Sequence, residues 1–343
     1  MAEHFNPNKV AVANGNIFGF PYTLSEAELV ILPVPWEVTT SYGGGTADGP
    51  QAILNASTQL DFYDPNLEKA WQYKVAMKEI PQKIYDKNTA LRPLAEEYIK
   101  RLEEGEIPQE NRGLIKIAEH INKECEGLKN WVKEEAKKIV DSGKKVAVLG
   151  GDHSTPLGLI EALAEKYSSF SVLQIDAHAD LRKAYEGFTY SHASIMYNTL
   201  QLPQVSKLVQ VGIRDICPDE VEMIINSGGR IKTFFDWDIK NAQYEGKSWK
   251  ILCDEIIAEL SNEVYISFDI DGLDPKLCPN TGTPVVGGLE LAQVSYLLNS
   301  LCESGKKIIG FDLNEVAPGE NEWDANVGAR VLYKLCCMLF KSR

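Results

Sequence analysis

The chain has 343 residues, with 35 lysines and arginines against 49 aspartates and glutamates, so its formal net charge is −14 at pH 7. Hydrophobic residues make up 44% of the sequence and charged residues 24%, which is typical of folded globular proteins and excludes wholesale disorder. The acidic excess argues against a general affinity for nucleic acids or anionic membranes, because both bind clustered Lys and Arg. Cationic small molecules and metal ions are compatible partners.

Signals for export, membrane insertion and disulfide formation are absent from the sequence. The first thirty residues lack the basic and then apolar pattern of a secretory signal, and no apolar stretch approaches the roughly 18 residues of a membrane span. Seven cysteines lie between Cys125 and Cys337 without CxxC spacing. An odd number of scattered cysteines favours free thiols over a disulfide framework. We therefore expect a cytoplasmic protein.

Short apolar runs alternate along the chain with longer helix-like segments, which is typical of a parallel sheet covered by helices. The candidate strands, in chain order, are AELVILPVP, KKVAVLG, FSVLQIDAH, LVQVGIRD, IKTFF, EVYISFDID and KKIIGFDLNEV. Most are nearly continuous apolar runs, as expected for strands buried on both faces. Between them, GLKNWVKEEAKKIVDSG has apolar residues at helical spacing and a terminal glycine.

The segment at about residues 67–119 interrupts this alternation because it is rich in Lys and Glu. The simpler interpretation is a helical insertion with a solvated, charged face. A lid or a subunit contact near the functional site is the alternative. No internal repeat, low-complexity tract or long Pro/Gly/Ser linker marks a boundary, so we expect one domain over residues 1–343.

Polar residues collect where three of the predicted strands end. In open α/β sheets, ligands bind beyond the carboxyl ends of the strands. In an extended chain, side chains at positions i and i+2 point to the same face, so Asp176, His178 and Asp180 are expected to converge. The side chains that the three strand ends bring to this rim are His153, Asp176, His178, Asp180, Asp269 and Asp271.

Four carboxylates at one rim repel one another unless cations neutralise them. Two divalent metal ions would balance their charge, and ligands without thiolate favour Mn²⁺ over a structural zinc. A single D-x-H or D-x-D can instead be a turn, a cap or a satisfied buried pair. Repeated placement of Asp and His after apolar strands has a desolvation cost and favours a dinuclear metal site. Such a site suits hydrolysis.

Two further residues lie near the predicted rim. His192 follows the second metal segment by a loop and is a candidate proton shuttle, because an imidazole titrates near neutral pH. A satisfied loop histidine is the alternative. Glu315 ends the last predicted strand and can pair with a cation. A helix N-terminal charge or a salt bridge is the alternative for this residue.

Several motifs, in order along the chain, resemble the ureohydrolase family of arginases and agmatinases, most closely its agmatinase branch. They are VPWEVTTSYGGGTADGPQAI, GGDHS, DAHADLR, YSHAS, SFDIDGLDP, TGTPVVGGL and NEVAP. The resemblance implies an arginase-like three-layer α/β/α fold with a mostly parallel sheet of about eight strands. It also implies that the six rim residues bind two Mn²⁺ ions, with Ni²⁺ as the alternative metal. By the same resemblance, Asp180 and His192 move protons, and Glu315 holds the guanidinium group.

The reaction that the resemblance implies is hydrolysis of a guanidino compound to urea and an amine, with agmatine giving putrescine as the expected case. DAHADLRKAYEGFTYSHAS is similar to the agmatinase branch. Cys217 stands where arginases carry an acid that contacts the amino group of the substrate. Arginase, guanidine hydrolase or another guanidino-acid ureohydrolase are alternatives. Formimidoylglutamate is less favoured because it is a dicarboxylate, although Arg182 and Lys183 keep it among the alternatives.

A binding or sensor protein that retains the fold is the non-enzymatic alternative. It predicts missing metal ligands, whereas every position of the ligand pattern is filled here. The nucleotide-binding patterns G-x-x-x-x-G-K-[ST] and G-x-G-x-x-G do not occur. The resemblance further implies a homo-oligomer, a trimer or hexamer, with no nucleic-acid or membrane partner.

Overall fold

Eight parallel strands form the sheet at the centre of the computed structural model, which describes residues 5–342. In chain order they are β1 (Leu29–Val34), β2 (Val75–Met77), β3 (Lys145–Gly150), β4 (Phe170–Ile175), β5 (Val205–Val211), β6 (Ile231–Phe234), β7 (Glu263–Asp269) and β8 (Lys307–Asn314). Their order across the sheet is β2-β1-β3-β8-β7-β4-β5-β6. The predicted α/β class with a parallel sheet of about eight strands is confirmed.

Helices cover both faces of the sheet. They are α1 (Gly49–Ala56), α2 (Gln82–Glu103), α3 (Arg112–Asp141), α4 (Leu157–Lys166), α5 (Ile195–Thr199), α6 (Pro218–Ile225), α7 (Asp236–Tyr244), α8 (Trp249–Ala258), α9 (Leu291–Glu303) and α10 (Trp323–Lys341). Side chains alternate between the faces of a strand. Leu29 and Ile31 accordingly pack with α1, α8, α9 and α10 in one core, whereas Val30 and Leu32 pack with α2, α3 and α4 in the other. This is the predicted three-layer arrangement.

Every candidate strand named from the sequence forms a strand, whereas β2 was not indicated by the sequence pattern. This strand has only three residues, and it pairs with β1 alone at the edge of the sheet. A run of three apolar residues between lysines is too short to show a period, so only the pairing with β1 defines it. It lies in the segment 67–119, together with α2 and the start of α3.

The sheet brings four strand ends together. β3, β8, β7 and β4 are neighbours, although β3 and β4 follow one another in the chain. The chain therefore crosses over β8 and β7 between β3 and β4. A crevice forms at the carboxyl ends of the strands at such a point, and ligands bind there in open α/β sheets. Between residues 5 and 342, no helix is long and apolar enough to span a bilayer.

Candidate metal centre

Three carboxylates surround one ring nitrogen of His153. Its Nδ1 atom lies 3.0 Å from Oδ2 of Asp176, 3.0 Å from Oδ2 of Asp180 and 3.3 Å from Oδ2 of Asp269. All four side chains are buried. Nδ1 nevertheless makes no hydrogen bond of good geometry within residues 5–342. Buried carboxylate oxygens that converge in this way repel one another unless a cation lies between them.

The other ring nitrogen of His153 is held by a buried network. Nε2 lies 2.9 Å from the hydroxyl oxygen of Ser267, which lies 3.1 Å from Oδ1 of Asp312. Tyr265 donates its hydroxyl to the second oxygen of Asp312 at 2.6 Å. Ser267 therefore donates to the carboxylate and accepts from Nε2–H, which leaves Nδ1 as the ring nitrogen that faces the three carboxylates and can bind a metal ion once its proton is released. Histidines that bind metals are oriented in this way.

A second group of ligand atoms overlaps with the first. Nδ1 of His178 lies 3.0 Å from Oδ2 of Asp271 and 3.7 Å from Oδ1 of Asp176. The ligand atoms of His153, Asp176 and Asp269 lie within 4.8 Å of one another, and so do those of Asp176, His178 and Asp271. Asp176 belongs to both groups, so one carboxylate can bridge two ions. This arrangement fits a pair of metal ions better than a single ion.

The electrostatics of the cluster indicate that it needs positive charge. Burial and the carboxylate of Asp271 raise the pKa of Asp176, and burial and Asp176 raise the pKa of Asp180 to about 7. Burial alone would lower the pKa of His178, but Asp271 raises it to about 10. Protons thus compensate the carboxylates when no other cation does. Metal ions compete for the same lone pairs, so their binding releases these protons.

The donor set fits divalent metal ions of intermediate hardness. It consists of imidazole nitrogens and carboxylate oxygens, with no thiolate among the described residues within reach of these groups. Such donors suit Mn²⁺, Ni²⁺ or similar ions. The unpartnered Nδ1 of His153 and the buried carboxylates are positioned to receive them.

The approach of Asp180 depends on a turn that the sequence argument did not anticipate. An extended chain through Asp176, His178 and Asp180 was expected from the sequence. The backbone at Asp180 instead has φ 55°, in the left-handed region, and its carbonyl accepts hydrogen bonds from the amides of Met196 and Tyr197 at 3.0 and 3.1 Å. The extended geometry therefore ends before Asp180, and the start of α5 fixes the turn that returns its carboxylate to the cluster.

Glu315 follows β8 and lies beside His153. Its Oε1 accepts a hydrogen bond from the backbone amide of His153 at 2.8 Å. Its Oε2 is buried and has no hydrogen-bond partner within residues 5–342. A methyl carbon added at Gly282 would lie 2.8 Å from Oε2, so the glycine keeps space next to this oxygen. Burial and Asp152 raise the pKa of Glu315, and a bound cation would favour its charged form.

A pocket of about 200 Å³ opens over the centre. Residues on its wall that bear on function are Ser41, His178, Asp180, Arg182, Tyr185, His192, Asp215, Cys217, Glu220 and Thr283. Desolvation of the partly exposed His192 ring, together with the nearby cations of His178 and His153, lowers its pKa to about 3. Its Nε2 lies 3.5 Å from the hydroxyl of Ser41. The imidazole is therefore neutral at neutral pH.

The structure brings all eight sequence-predicted site residues to the carboxyl ends of β3, β4, β7 and β8 or to the adjacent pocket. Ser267 and Asp312 were missed, although each left a signal. Ser267 precedes Asp269 by two residues and so points to the same face of β7. Asp312 is a charged residue inside the apolar strand β8, and burying a charge destabilises the fold unless the group is hydrogen-bonded.

Residues 27–338 match the model of the arginase family. An N(1)-aminopropylagmatine ureohydrolase of Thermus thermophilus is 33% identical over 316 residues, which cover 91% of this chain and 90% of that protein. An agmatinase of Bacillus anthracis is 27% identical over 301 residues, 86% of each protein. The solved agmatine ureohydrolase of Thermoplasma volcanium superposes with a TM-score of 0.71, over 95% of this chain and 94% of that one, at 23% identity.

Proposed function

This chain belongs to the arginase family of hydrolases, and from that membership we propose that it hydrolyses agmatine to urea and putrescine. The observation that carries the proposal is the pair of ligand groups that share Asp176 at the base of a pocket. Beside them, the buried Oε2 of Glu315 has no partner within residues 5–342 and is suited to a cationic guanidinium group.

We propose that two Mn²⁺ ions bind to the six rim residues, with Ni²⁺ as the alternative. The proposed ligands are His153, Asp176, His178, Asp180, Asp269 and Asp271. Bound there, the metal pair would supply a water molecule that is acidic enough to react at neutral pH and would stabilise negative charge on the oxygen. The reaction itself adds one water: the bond between the guanidinium carbon and the nitrogen that carries the alkyl chain breaks, the oxygen stays in urea, and both protons of the water end on the amine.

The side chains divide the remaining tasks. Glu315 orients the guanidinium group through Oε2, while its Oε1 is held by the amide of His153. Asp180 Oδ2 lies 3.0 Å from Nδ1 of His153 and accepts a proton from the attacking water. His192 relays a proton towards the departing nitrogen. Because its pKa is lowered to about 3, His192 passes the proton on and does not store it.

The pocket wall favours a substrate without a carboxylate. The guanidinium of Arg182 lies 4.7 Å from the ring centre of Tyr185, and its Nε lies 4.0 Å from Oε2 of Glu220. Its charge therefore already faces an acid and an aromatic ring. Cys217 cannot bind an α-amino group as an acid would. Both features disfavour arginine and formimidoylglutamate relative to a guanidino amine.

N(1)-aminopropylagmatine is a second candidate substrate, because the Thermus thermophilus relative carries that name at 33% identity. A longer amine would reach towards the pocket mouth. The side chain of Asp215 lies there with 68% of its surface exposed. An exposed carboxylate can pair with a second ammonium group without a large desolvation cost.

Urea release from a panel of guanidino compounds tests the proposal. The panel contains agmatine, N(1)-aminopropylagmatine, arginine, guanidinobutyrate and guanidine, each with Mn²⁺ and with Ni²⁺. We expect agmatine to have the highest kcat/KM. A strong preference for arginine or guanidine would overturn the proposed substrate, and a preference for N(1)-aminopropylagmatine would select the second candidate.

The proposal extends to the cellular compartment and the oligomeric state of the enzyme. We infer a cytoplasmic enzyme, supported by seven free cysteines, six of them buried, because free thiols persist in reducing compartments. The expectation of a homo-oligomer, a trimer or hexamer, is tested by light scattering of the purified protein.

A further inference from the structure

Helices α2 and α3 contact two loops that line the pocket. The first wall loop, residues 36–48, joins β1 to α1 and carries Ser41; the second wall loop, residues 181–192, precedes α5 and carries Tyr185 and His192. We propose that Arg92, on α2 and outside the pocket, is a positioning residue that fixes the first wall loop for substrate binding. The proposal rests on the proposed function only through its activity readout.

One nitrogen of Arg92 faces three carbonyl oxygens of the first wall loop. Nη1 donates to the carbonyls of Glu37 at 3.2 Å and Val38 at 3.3 Å, and also to that of Thr40. Only 13% of the Arg92 side chain is exposed. Charge-assisted hydrogen bonds in a buried setting are roughly twice as strong as neutral ones. This guanidinium therefore fixes the path of the loop over four consecutive residues.

The first wall loop contacts His192, the proposed proton shuttle, through Ser41. Thr40, whose carbonyl Arg92 holds, directly precedes Ser41, and the hydroxyl of Ser41 lies 3.5 Å from Nε2 of His192. The loop is also tied to the metal side of the pocket, because the amide of Gly43 donates to the carbonyl of Gly282 at 2.9 Å. A shift of the first wall loop would therefore change the shape of the pocket without removing any proposed metal ligand.

The same helices hold the second wall loop. The side-chain amide of Asn122 on α3 donates to the carbonyl of Gly187 at 2.9 Å, and its oxygen accepts from the amide of Thr189 at 2.7 Å. The ring of Tyr98 on α2 packs against Phe188, with centroids 5.2 Å apart. Gly187 is required there, because its φ is 81° and a methyl carbon would lie 2.7 Å from the Tyr98 hydroxyl.

A further contact supports the role of α2. The side-chain oxygen of Asn88, one helical turn before Arg92, accepts from the amide of Glu37 at 2.7 Å. The carboxylate of Glu37 in turn accepts from the amides of Gly45 and Ala47 at 2.6 and 3.3 Å. Both ends of the first wall loop are thus connected to α2, directly or through Glu37. The segment 67–119 therefore has a buried, polar face that contacts the wall of the site, in addition to its solvated, charged face.

The test compares Arg92→Met and Arg92→Lys with Arg101→Lys as the matched control. Arg101 lies on the same helix and pairs with Glu106. The measurements are KM and kcat for agmatine, metal content, and hydrogen exchange of residues 37–43. For Arg92→Met we expect KM to rise about tenfold, a loss of the size of one charge-assisted hydrogen bond, with faster exchange in this loop and unchanged metal content. Arg92→Lys should restore part of the loss, and the control should match the wild type.

Wild-type KM and wild-type exchange in Arg92→Met would overturn the proposal. If this variant does not fold, Asn88→Ala removes the second tie to the same loop, and the same two readouts decide. A general loss of stability without a selective change at residues 37–43 would also contradict a positioning role. If the wild type releases no urea from any guanidino compound, the proposed function fails, whereas hydrogen exchange still decides the role of Arg92.

Discussion

The hydroxyl oxygen of Ser267 lies 2.9 Å from Nε2 of His153, the ring nitrogen that faces away from the carboxylate cluster. The buried carboxylate of Asp312 accepts a hydrogen bond from the hydroxyl of Ser267. The serine oxygen therefore accepts a hydrogen bond from Nε2–H of His153. Nδ1, which faces Asp176, Asp180 and Asp269, is therefore the ring nitrogen that gives up its proton when a metal ion binds. The site is therefore prepared for a metal ion before the ion binds.

Replacing Ser267 with Ala should weaken metal binding by about 10- to 100-fold, because the Nε2 proton loses its acceptor and the ring loses its fixed orientation. Competition with a chelator measures the affinity. Ser300→Ala, on α9 and remote from the site, is the control. An unchanged affinity in the Ser267 variant would show that the network does not orient the ligand.

The Asp269→Asn variant should separate two effects of the carboxylates, the repulsion that destabilises the metal-free protein and the contribution to metal binding. Burial and the charges of Asp271 and Asp176 raise the pKa of Asp269, so this group is unfavourable when ionised without metal. Asn retains the hydrogen bond from the amide of Asp271 at 2.9 Å. We expect the metal-free variant to be more stable than the metal-free wild type, by about 1–3 kcal/mol, and the metal-loaded variant to be less stable.

Thermal unfolding with Mn²⁺ and with a chelator measures both differences. The Asp274→Asn variant, in which a partly exposed acid near the same loop is changed, should leave the metal-induced rise in Tm as in the wild type. If Asp269→Asn lowers Tm equally with and without metal, repulsion among the carboxylates does not destabilise the metal-free protein.

Glu186 should make stability depend on pH outside the metal centre. Its backbone φ is 52° and its Oε2 has no hydrogen-bond partner within residues 5–342. Burial and the charge of Glu103 raise its pKa to about 7. The folded state therefore prefers the protonated form, and the carboxylate destabilises the fold increasingly as pH rises from the unfolded pKa, about 4.3, through 7.

We expect Glu186→Gln to raise Tm at about pH 8.5 and to leave it nearly unchanged at about pH 4, where the wild-type group is mostly protonated in both states. The gain should stay below about 1 kcal/mol, because solvent screens this partly exposed carboxylate. Glu119→Gln, exposed on α3, is the control and should show no such pH dependence. A gain that is equal at both pH values would contradict the assigned pKa.

His192→Asn should lower kcat by about 10²- to 10⁴-fold, the usual contribution of a positioned proton-transfer group. Metal content should not change, since no proposed ligand is lost. The matched control is His120→Asn, on the exposed face of α3. A kcat near the wild-type value would remove His192 from the proton path and leave Asp180 as the sole relay.

The sequence was sufficient for the strands that end at the site, because apolar runs followed by Asp or His identify a buried strand and its polar end. It could not provide the left-handed turn at Asp180, which depends on hydrogen bonds from the start of α5. Nor could it predict β2, a three-residue edge strand that exists only through its pairing with β1.

The role of α2 was out of reach for another reason. Helical periodicity shows which face of α2 is buried but does not show what that face contacts. Arg92 holds carbonyls that lie more than fifty residues earlier in the chain. A polar side chain that binds backbone groups so distant in sequence leaves no local pattern, so only the folded structure reveals it.

The most direct test of the central claim is to titrate Mn²⁺ into metal-stripped protein and to follow urea release from agmatine. Urea production should be absent without metal and should rise to a plateau at about two ions per chain. Asp271→Ala should bind less metal and release no urea. Full turnover in the metal-stripped protein, or in this variant, would contradict the account.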